Sequence, residues 1–228
     1  FLLKDREILF NQSRPVFDEL LSQHKITHFY FTDLSRVNFL RVHNPEKHSD
    51  KINRFTTIKA QEENSPASGI ELGTFGTFTL RVVHPWIING EVAGYIELGM
   101  EIDHITPKIK KNVNAELFSL IKKSELHQDK WEEGLRMMGK KGDWNQFPDF
   151  VIIDQTLDNT PEEIKNYLTH VHENHSDMIL TTQHNDKKYS FGFIPLTDVS
   201  KKNVGDIIVM LDVTQLQSGT MRLLRNGF

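Results

Sequence analysis

Along residues 1–23 the apolar positions Leu3, Ile8, Leu9, Val16, Phe17, Leu20 and Leu21 fall close to the spacing of one helix face, which predicts a long N-terminal helix with Pro15 as a place to kink. Two short runs rich in aromatic and branched residues follow, Ile26–Phe31 and Val37–Val42, parted by the turn-forming Asp33-Leu34-Ser35-Arg36. They predict a strand pair. Ser49 and Asp50 then suit the cap of a helix with Ile52, Phe55 and Ile58 on its apolar face, ending at Asn64-Ser65-Pro66. Ile70–Leu72, Gly76–Trp86 and Val92–Met100 predict three more strands, the last two joined by Asn89-Gly90, a strong hairpin signal.

A helical connector containing Pro107 leads into a similar order. Ala115–Ile121 predicts a strand, Asp129–Met138 a helix, Phe150–Ile153 a buried strand and Pro161–His175 a helix. Met178–Thr182, Tyr189–Pro195 and Val204–Asp212 complete a second set of three strands, and Val213–Leu224 predicts an exit helix. The segment from Gly90 to Leu98 and the segment from Asn203 to Leu211 both read as the last strand of an antiparallel sheet, so the chain holds a diverged internal duplication.

A length of 228 residues with 38% hydrophobic content suffices for two small cores. A net charge of −4 leaves no basic surplus to neutralise phosphates, so nucleic acid is not expected as a partner. The absence of cysteine excludes thiolate metal sites, disulfides and a cysteine nucleophile, and leaves the redox compartment open. No apolar run approaches the ~20 residues that span a bilayer, and Phe1 in place of an initiator Met is read as the start of a fragment.

Within this pattern, Thr27-His28-Phe29-Tyr30-Phe31-Thr32-Asp33, Arg36–His43, Ser68-Gly69-Ile70-Glu71-Leu72-Gly73, Thr79-Leu80-Arg81-Val82-Val83 and Gly94-Tyr95-Ile96-Glu97-Leu98-Gly99 resemble the third subtype of double Cache sensory domains. These motifs cover roughly residues 20–105; beyond Pro107 the reading rests on the repeated element order and on length. The resemblance implies an extracytoplasmic region set between two transmembrane helices of a sensor histidine kinase, with some diguanylate cyclases and chemoreceptors as alternatives. It also implies that the membrane-distal module binds a small molecule between sheet and helix. The expected fold is α+β: two tandem PAS-like modules with antiparallel sheets and flanking helices, entered by a long helix. The expected divisions are a stalk helix over 1–23, a distal module over 24–106, a proximal module over 107–213 and an exit helix over 214–228.

Three arginines stand where apolar residues are expected: Arg41 and Arg81 in strands and Arg54 on the covering helix. A guanidinium fork matches a carboxylate or phosphate through two parallel hydrogen bonds, so three of them converging on one cavity would receive an anionic ligand. Glu71 and Glu97, also inside strands, offer the other reading, in which the arginines form internal ion pairs. A plain two-residue turn at Asn89-Gly90 sets Arg81 opposite Leu98 and Val82 opposite Glu97, placing Arg81 and Glu97 on opposite faces; a bulge near Pro85 would reverse that. Both readings stay open. Phe29, Phe31, Phe39, Phe78 and Tyr95 are candidate apolar walls of the pocket or ordinary core, with Phe29 and Phe31 taken as ligand-lining.

His170, His172 and His175, with His184 nearby, form a histidine-rich tract. On a helix His170 and His172 point about 200° apart, and His172 and His175 lack a third ligand, so the tract reads as a solvated helix end and no metal or cofactor is expected. No phosphate-binding glycine loop with lysine, no Gly-x-Ser-x-Gly and no His-Glu-x-x-His is present, so no catalytic residue is assigned. The expectation is a ligand-sensing domain without enzymatic activity, homodimeric through its N-terminal helix and tied to the membrane by flanking helices outside the sequence. A free-standing soluble binding protein is the rival reading, and a third is an enzyme with an unfamiliar site.

Overall fold

A computed structural model describes residues 5–102, 106–170 and 179–215. The chain forms two compact units: Phe1–Gly73, Phe78–Ile102 and Asp198–Lys202 make the first, and Thr74–Thr77, Asp103–Thr197 and Asn203–Phe228 the second.

In the first unit helix α1, Arg6–His24, opens at Asp5, whose carboxylate accepts the Ile8 N–H at 2.9 Å. It buries Leu9, Ser13 and Phe17, spaced by four residues and therefore on one side of the helix. The sheet consists of β1 (His28–Thr32), β2 (Asn38–Arg41), β3 (Ala67–Leu72), β4 (Phe78–Ile88) and β5 (Glu91–Glu101), in the order β2-β1-β5-β4-β3 with all neighbours antiparallel. One face carries an apolar core in which Phe29, Phe31, Leu40 and Val42 meet Leu9 and Phe17 of α1. The other face lies under helix α2, Phe55–Glu63.

Helix α2 starts later than Ser49-Asp50 suggested. The backbone of residues 49–52 is taken up beside β2 instead: Ser49 N–H donates to Asn38 C=O, Asn38 N–H to Asp50 C=O and Ile52 N–H to Arg36 C=O, each at 2.8 Å. Ile52 is therefore buried ahead of the helix, Phe55 is 40% exposed, and the helix presents Thr56, Thr57 and Ala60 inward. The helix ends at Asn64 in the left-handed conformation, φ 46°, where the sequence placed its stop.

The second unit has α3 (Thr106–Val113), β6 (Ala115–Lys122), a single 3-10 turn, α4 (Gln128–Met138), β7 (Phe150–Gln155), α5 (Glu162–His170), β8 (Ile179–His184), β9 (Lys187–Thr197) and β10 (Asn203–Asp212). Its strand order, β7-β6-β10-β9-β8, repeats that of the first unit. The face toward α5 is a dry core of Phe118, Leu120, Phe191, Phe193, Ile208 and Met210 against Ile164 and Leu168. The end of the helix expected over Pro161–His175, with His172 and His175, and most of the expected exit helix lie outside the described residues; His170 is exposed.

Turn chemistry fixes two of the hairpins. Asn89 (φ 53°) and Gly90 (φ 86°) join β4 to β5, and Asn185 (φ 48°) and Asp186 (φ 61°) join β8 to β9. Two successive positive φ values match the twist of a two-residue hairpin, and Asn, Asp and Gly are the residues that accept them. The two sheets also carry a bulge at the same place. In β5, Val92 faces Ile87 and Gly94 faces Trp86, leaving Ala93 as the extra residue; in β10, Asn203 faces Thr197 and Gly205 faces Leu196, leaving Val204. The duplication is thus written in backbone geometry as well as in strand order. No helix among the described residues is long and apolar enough to cross a membrane.

Candidate functional site

The bulge at Ala93 decides what the first sheet presents to α2. Beyond it Arg81 pairs with Gly99 and Val83 with Glu97, so the plain-turn register, Arg81 opposite Leu98, does not hold. Side chains two apart on a strand share a face; Arg81 and Glu97 therefore point to the same side. Gly99 lies beside them, where a β-carbon would crowd Thr79 Cγ2 at 3.0 Å and His28 Cβ at 3.1 Å. The β1–β5 register adds Tyr30 opposite Glu97, and the β1–β2 register sets Arg41 opposite Tyr30.

Glu97 is 1% exposed and is the centre of the cluster. Its Oε1 accepts from Arg81 Nη1 at 2.7 Å, and Arg54 Nη2 lies 2.7 and 2.6 Å from its two oxygens. The Thr57 hydroxyl donates to Oε2 at 3.3 Å. Glu71, on β3, accepts the N–H and the hydroxyl of Thr56 at 3.1 and 2.8 Å and lies 3.6 Å from Arg81 Nε. The two threonines that α2 turns inward thus serve the two carboxylates. Arg41 stands apart from Glu71 and Glu97 and forks onto Asp50 at 2.7 and 2.6 Å. That bond uses the carboxylate the sequence reading gave to a helix cap. The Tyr30 ring lies between two cations, 4.8 Å from the Arg54 guanidinium carbon and 5.2 Å from that of Arg41.

Of the residues chosen from sequence, Arg41, Arg54, Arg81, Glu71 and Glu97 come to one face, with each arginine already facing a carboxylate. Phe29 and Phe31 do not join them. Strand alternation turns both into the α1-side core, where their rings lie 4.9 Å apart, and Tyr30 between them takes the place on the charged face. Phe39 packs on that α1-side core as well, while Tyr95 lies under α2 with Ala60, Ala67 and Val83. Tyr30, Asp50, Thr56, Thr57, His28 and His43 escaped sequence reasoning. Period-two alternation within His28–Thr32 was the available signal for Tyr30; the others depend on long-range register.

Burial pushes the His28 imidazole down to about 3, helped by the Arg81 charge, and the His43 imidazole down to about 4. His43 Nδ1 accepts the Phe29 N–H at 3.1 Å, and its ring meets those of His28 and Tyr30 edge-on, both at 4.9 Å. Burial opposes the charge of Arg54 most strongly, but Glu97, Tyr30 and Glu71 together outweigh it and hold Arg54 above its ordinary value. The Arg41 fork holds the Asp50 carboxyl at about 2. The cluster is charge-balanced: Arg41, Arg54 and Arg81 against Asp50, Glu71 and Glu97, with both imidazoles neutral.

Several polar atoms on this face are nevertheless buried without a hydrogen-bond partner among the described residues. They are Arg54 Nε, Arg81 Nε, Thr32 Oγ1, Asn38 Oδ1 and Thr79 Oγ1. Such atoms cost free energy and call for an explanation. The second unit shows that the fold does not require them. Counting from the matching bulges, Tyr30, Arg81 and Glu97 correspond to Phe118, Phe191 and Ile208, all buried in that unit's apolar core. Buried ion pairs are often replaceable by apolar groups without loss of stability, so the charges of the first unit point to a role other than holding the sheet together. Among the described residues no group of His, Asp or Glu side chains is arranged to hold a metal ion.

The sequence matches the family model described as the double sensory domain of two-component sensor kinases over residues 2–217. No protein of curated function matches the chain. Among solved structures it is similar to the sensor domain of a Vibrio cholerae histidine kinase, with 11% identity, coverage of 90% of this chain and 80% of that one, and a TM-score of 0.43. It is similar, too, to the ligand-binding domain of a Campylobacter jejuni chemoreceptor solved with 4-methylisoleucine, at 11% identity, 91% and 73% coverage and a TM-score of 0.43. An extracellular ligand-binding receptor from Desulfohalobium retbaense matches at 11% identity and a TM-score of 0.41, over 87% of this chain, which spans 32% of that receptor's length.

Two measurements check the cluster. Glu97→Leu should destabilise the protein by roughly 3–5 kcal/mol, because it leaves two guanidiniums facing an uncharged side chain. Arg81→Met combined with Glu97→Leu should cost clearly less than Glu97→Leu alone in urea denaturation, and additive costs would refute the pairing. The histidines set the pH dependence. Their folded pKa values lie below the ordinary histidine value of 6.5, so the unfolded chain binds more protons as pH falls from about 6.5 towards 4. Stability should drop through that window, and Asp50 should add to the loss only below about 3.8. A urea midpoint unchanged between about pH 7 and pH 5 would contradict the burial of the two neutral imidazoles.

Proposed function

This chain belongs to the double sensory domain family of two-component sensor kinases, and we propose that its first unit receives a small carboxylate ligand at the Arg54–Arg81–Glu97 cluster. The chain is an extracytoplasmic sensing domain without catalysis of its own, of the kind that serves histidine kinases and chemoreceptors. The observation that supports the site is the contrast between the two units. Where one sheet face is apolar, the other holds charges and unpartnered polar atoms at corresponding positions.

Charge balance narrows the ligand. A simple anion that took Arg54 from Glu97 would leave that buried carboxylate with Arg81 alone and add a negative charge to the cluster, a costly arrangement. A molecule carrying a carboxylate beside an ammonium avoids this, since its acid takes the guanidinium and its cation takes the released Glu97. Net charge in the cluster is then unchanged. Tyr30 supplies an aromatic face for the same cation.

Strand β5 offers a route from ligand to helix. Glu97 points into the cluster, while Ile96 and Leu98 on either side of it pack into the core built on Leu9 and Phe17 of α1. A ligand that repositions Glu97 shifts the packing of α1 by as much as its affinity differs between the two arrangements. Helix α1 leaves Ile8 and Val16 about half exposed, at 50% and 51%, and we assign a homodimer contact to this helix.

Ligand binding is checked by thermal shift with zwitterionic amino acids, dicarboxylates and phosphate. Zwitterions should raise Tm saturably, as binding only to the folded state stabilises by ~2.7 kcal/mol at a hundredfold excess over Kd, and Arg54→Ala should weaken the response at least tenfold. A response to phosphate alone, or one indifferent to Arg54→Ala, would overturn the assignment. For the dimer, sedimentation should show a two-chain species that Val16→Glu converts to monomer; a monomeric unsubstituted protein at high concentration would remove it.

A further inference from the structure

The second unit contains a separate groove of about 500 Å³, within the range of small-molecule sites. One wall is the segment 140–146, which is fixed in place by aromatic packing. A β-carbon at Gly142 would stand 2.8 Å from the Trp131 ring, Trp131 meets Trp144 at 5.5 Å, and Lys123 lies over Trp144 at 5.3 Å while donating to Phe147 C=O. The opposite wall is the end of β7 and the turn that leads to α5.

The end of β7 is bulged. Ile152 faces Leu120 and Asp154 faces Ser119, leaving Ile153 as the extra residue. Bulges re-aim side chains, and they gather next to binding sites. Here the re-aimed residue is Asp154, which lines the groove; its Oδ2 is buried with no hydrogen-bond partner among the described residues. Thr160 also lines the groove and is only 6% exposed. A preformed cleft with a re-aimed carboxylate on its wall offers an acceptor to a donor-bearing molecule.

The rest of the lining indicates which kind of molecule. Lys140, Lys141 and Lys165 are balanced by Asp143, Asp154 and Asp158, and part of this charge is already engaged: Lys165 with Glu162 at 3.2 Å, and Asp143 with the Asn145 N–H at 2.8 Å. An anion meets three carboxylates there and a cation three ammonium groups. Hydroxyl groups both donate and accept, which matches a lining of carboxylates, ammonium groups and the amides of Gln146, Gln155 and Asn159. We propose that this groove is a second ligand site, independent of the arginine cluster, that binds a neutral polyhydroxylated molecule such as a monosaccharide or polyol through Asp154.

The test is titration of the purified domain with D-glucose, D-galactose, D-ribose, myo-inositol and sorbitol, read by calorimetry and by amide chemical shifts. The expected result is saturable binding of at least one of them, with shifts confined to residues 140–165. Asp154→Asn should weaken it at least tenfold and Asp154→Ala should abolish it. Acetate, phosphate and cadaverine serve as charged controls. No saturable binding by any of the five, binding by the charged probes alone, shifts elsewhere in the chain, or undiminished binding by Asp154→Asn would each overturn the proposal.

Discussion

Glu97 is one carboxylate, almost fully removed from water, held by two guanidiniums and a threonine hydroxyl. A carboxylate is held at that depth because β4, α2 and the residue that precedes α2 each bring a donor to it. Arg81 faces Gly99 across the strand pair, Thr57 lies on the side that α2 turns inward, and Arg54 stands at the N-cap of that helix. The polar side that α2 turns inward serves this group and its neighbour Glu71.

The second unit solves the same topological problem with hydrocarbon. Its sheet has the same strand order and the same bulge before the corresponding glycine, and it fills the helix-covered face with Phe118, Phe191, Phe193, Ile208 and Met210. An apolar interior of this kind is close-packed and has one good arrangement. A cluster of ion pairs with unpartnered donors is different: a ligand whose carboxylate and ammonium replace one of its pairs leaves the net charge unchanged and can compete for it. The proposed arginine-cluster site therefore lies in the unit whose interior is chemically exchangeable.

Strand β5 is the proposed route between the cluster and α1, since alternate residues of one strand face the cluster and the core under α1. A strand held in register by two neighbours moves as a body, so displacement on one face is felt on the other. Two discrete packings of α1 against Ile96 and Leu98 are what such a domain needs to pass on occupancy.

The sequence by itself determined the element order, the duplication, the family and the suspicion that Arg41, Arg54, Arg81, Glu71 and Glu97 do something other than fold the chain. Periodicity, turn residues and charge in apolar runs are local signals, and they survive without knowledge of contacts. Tertiary structure decided everything that depends on register. A single extra residue, Ala93, put Arg81 and Glu97 on the same face; alternation put Tyr30 there and sent Phe29 and Phe31 to the opposite side; pairing of residues 49–52 beside β2 gave Asp50 to Arg41 and removed it from the helix cap. The bulge in β7 that turns Asp154 into its groove left no mark in composition either. The physical reason is common to all of these: a strand's side-chain period is two, so one residue of slip, invisible in local propensity, exchanges what is buried on one face for what is buried on the other.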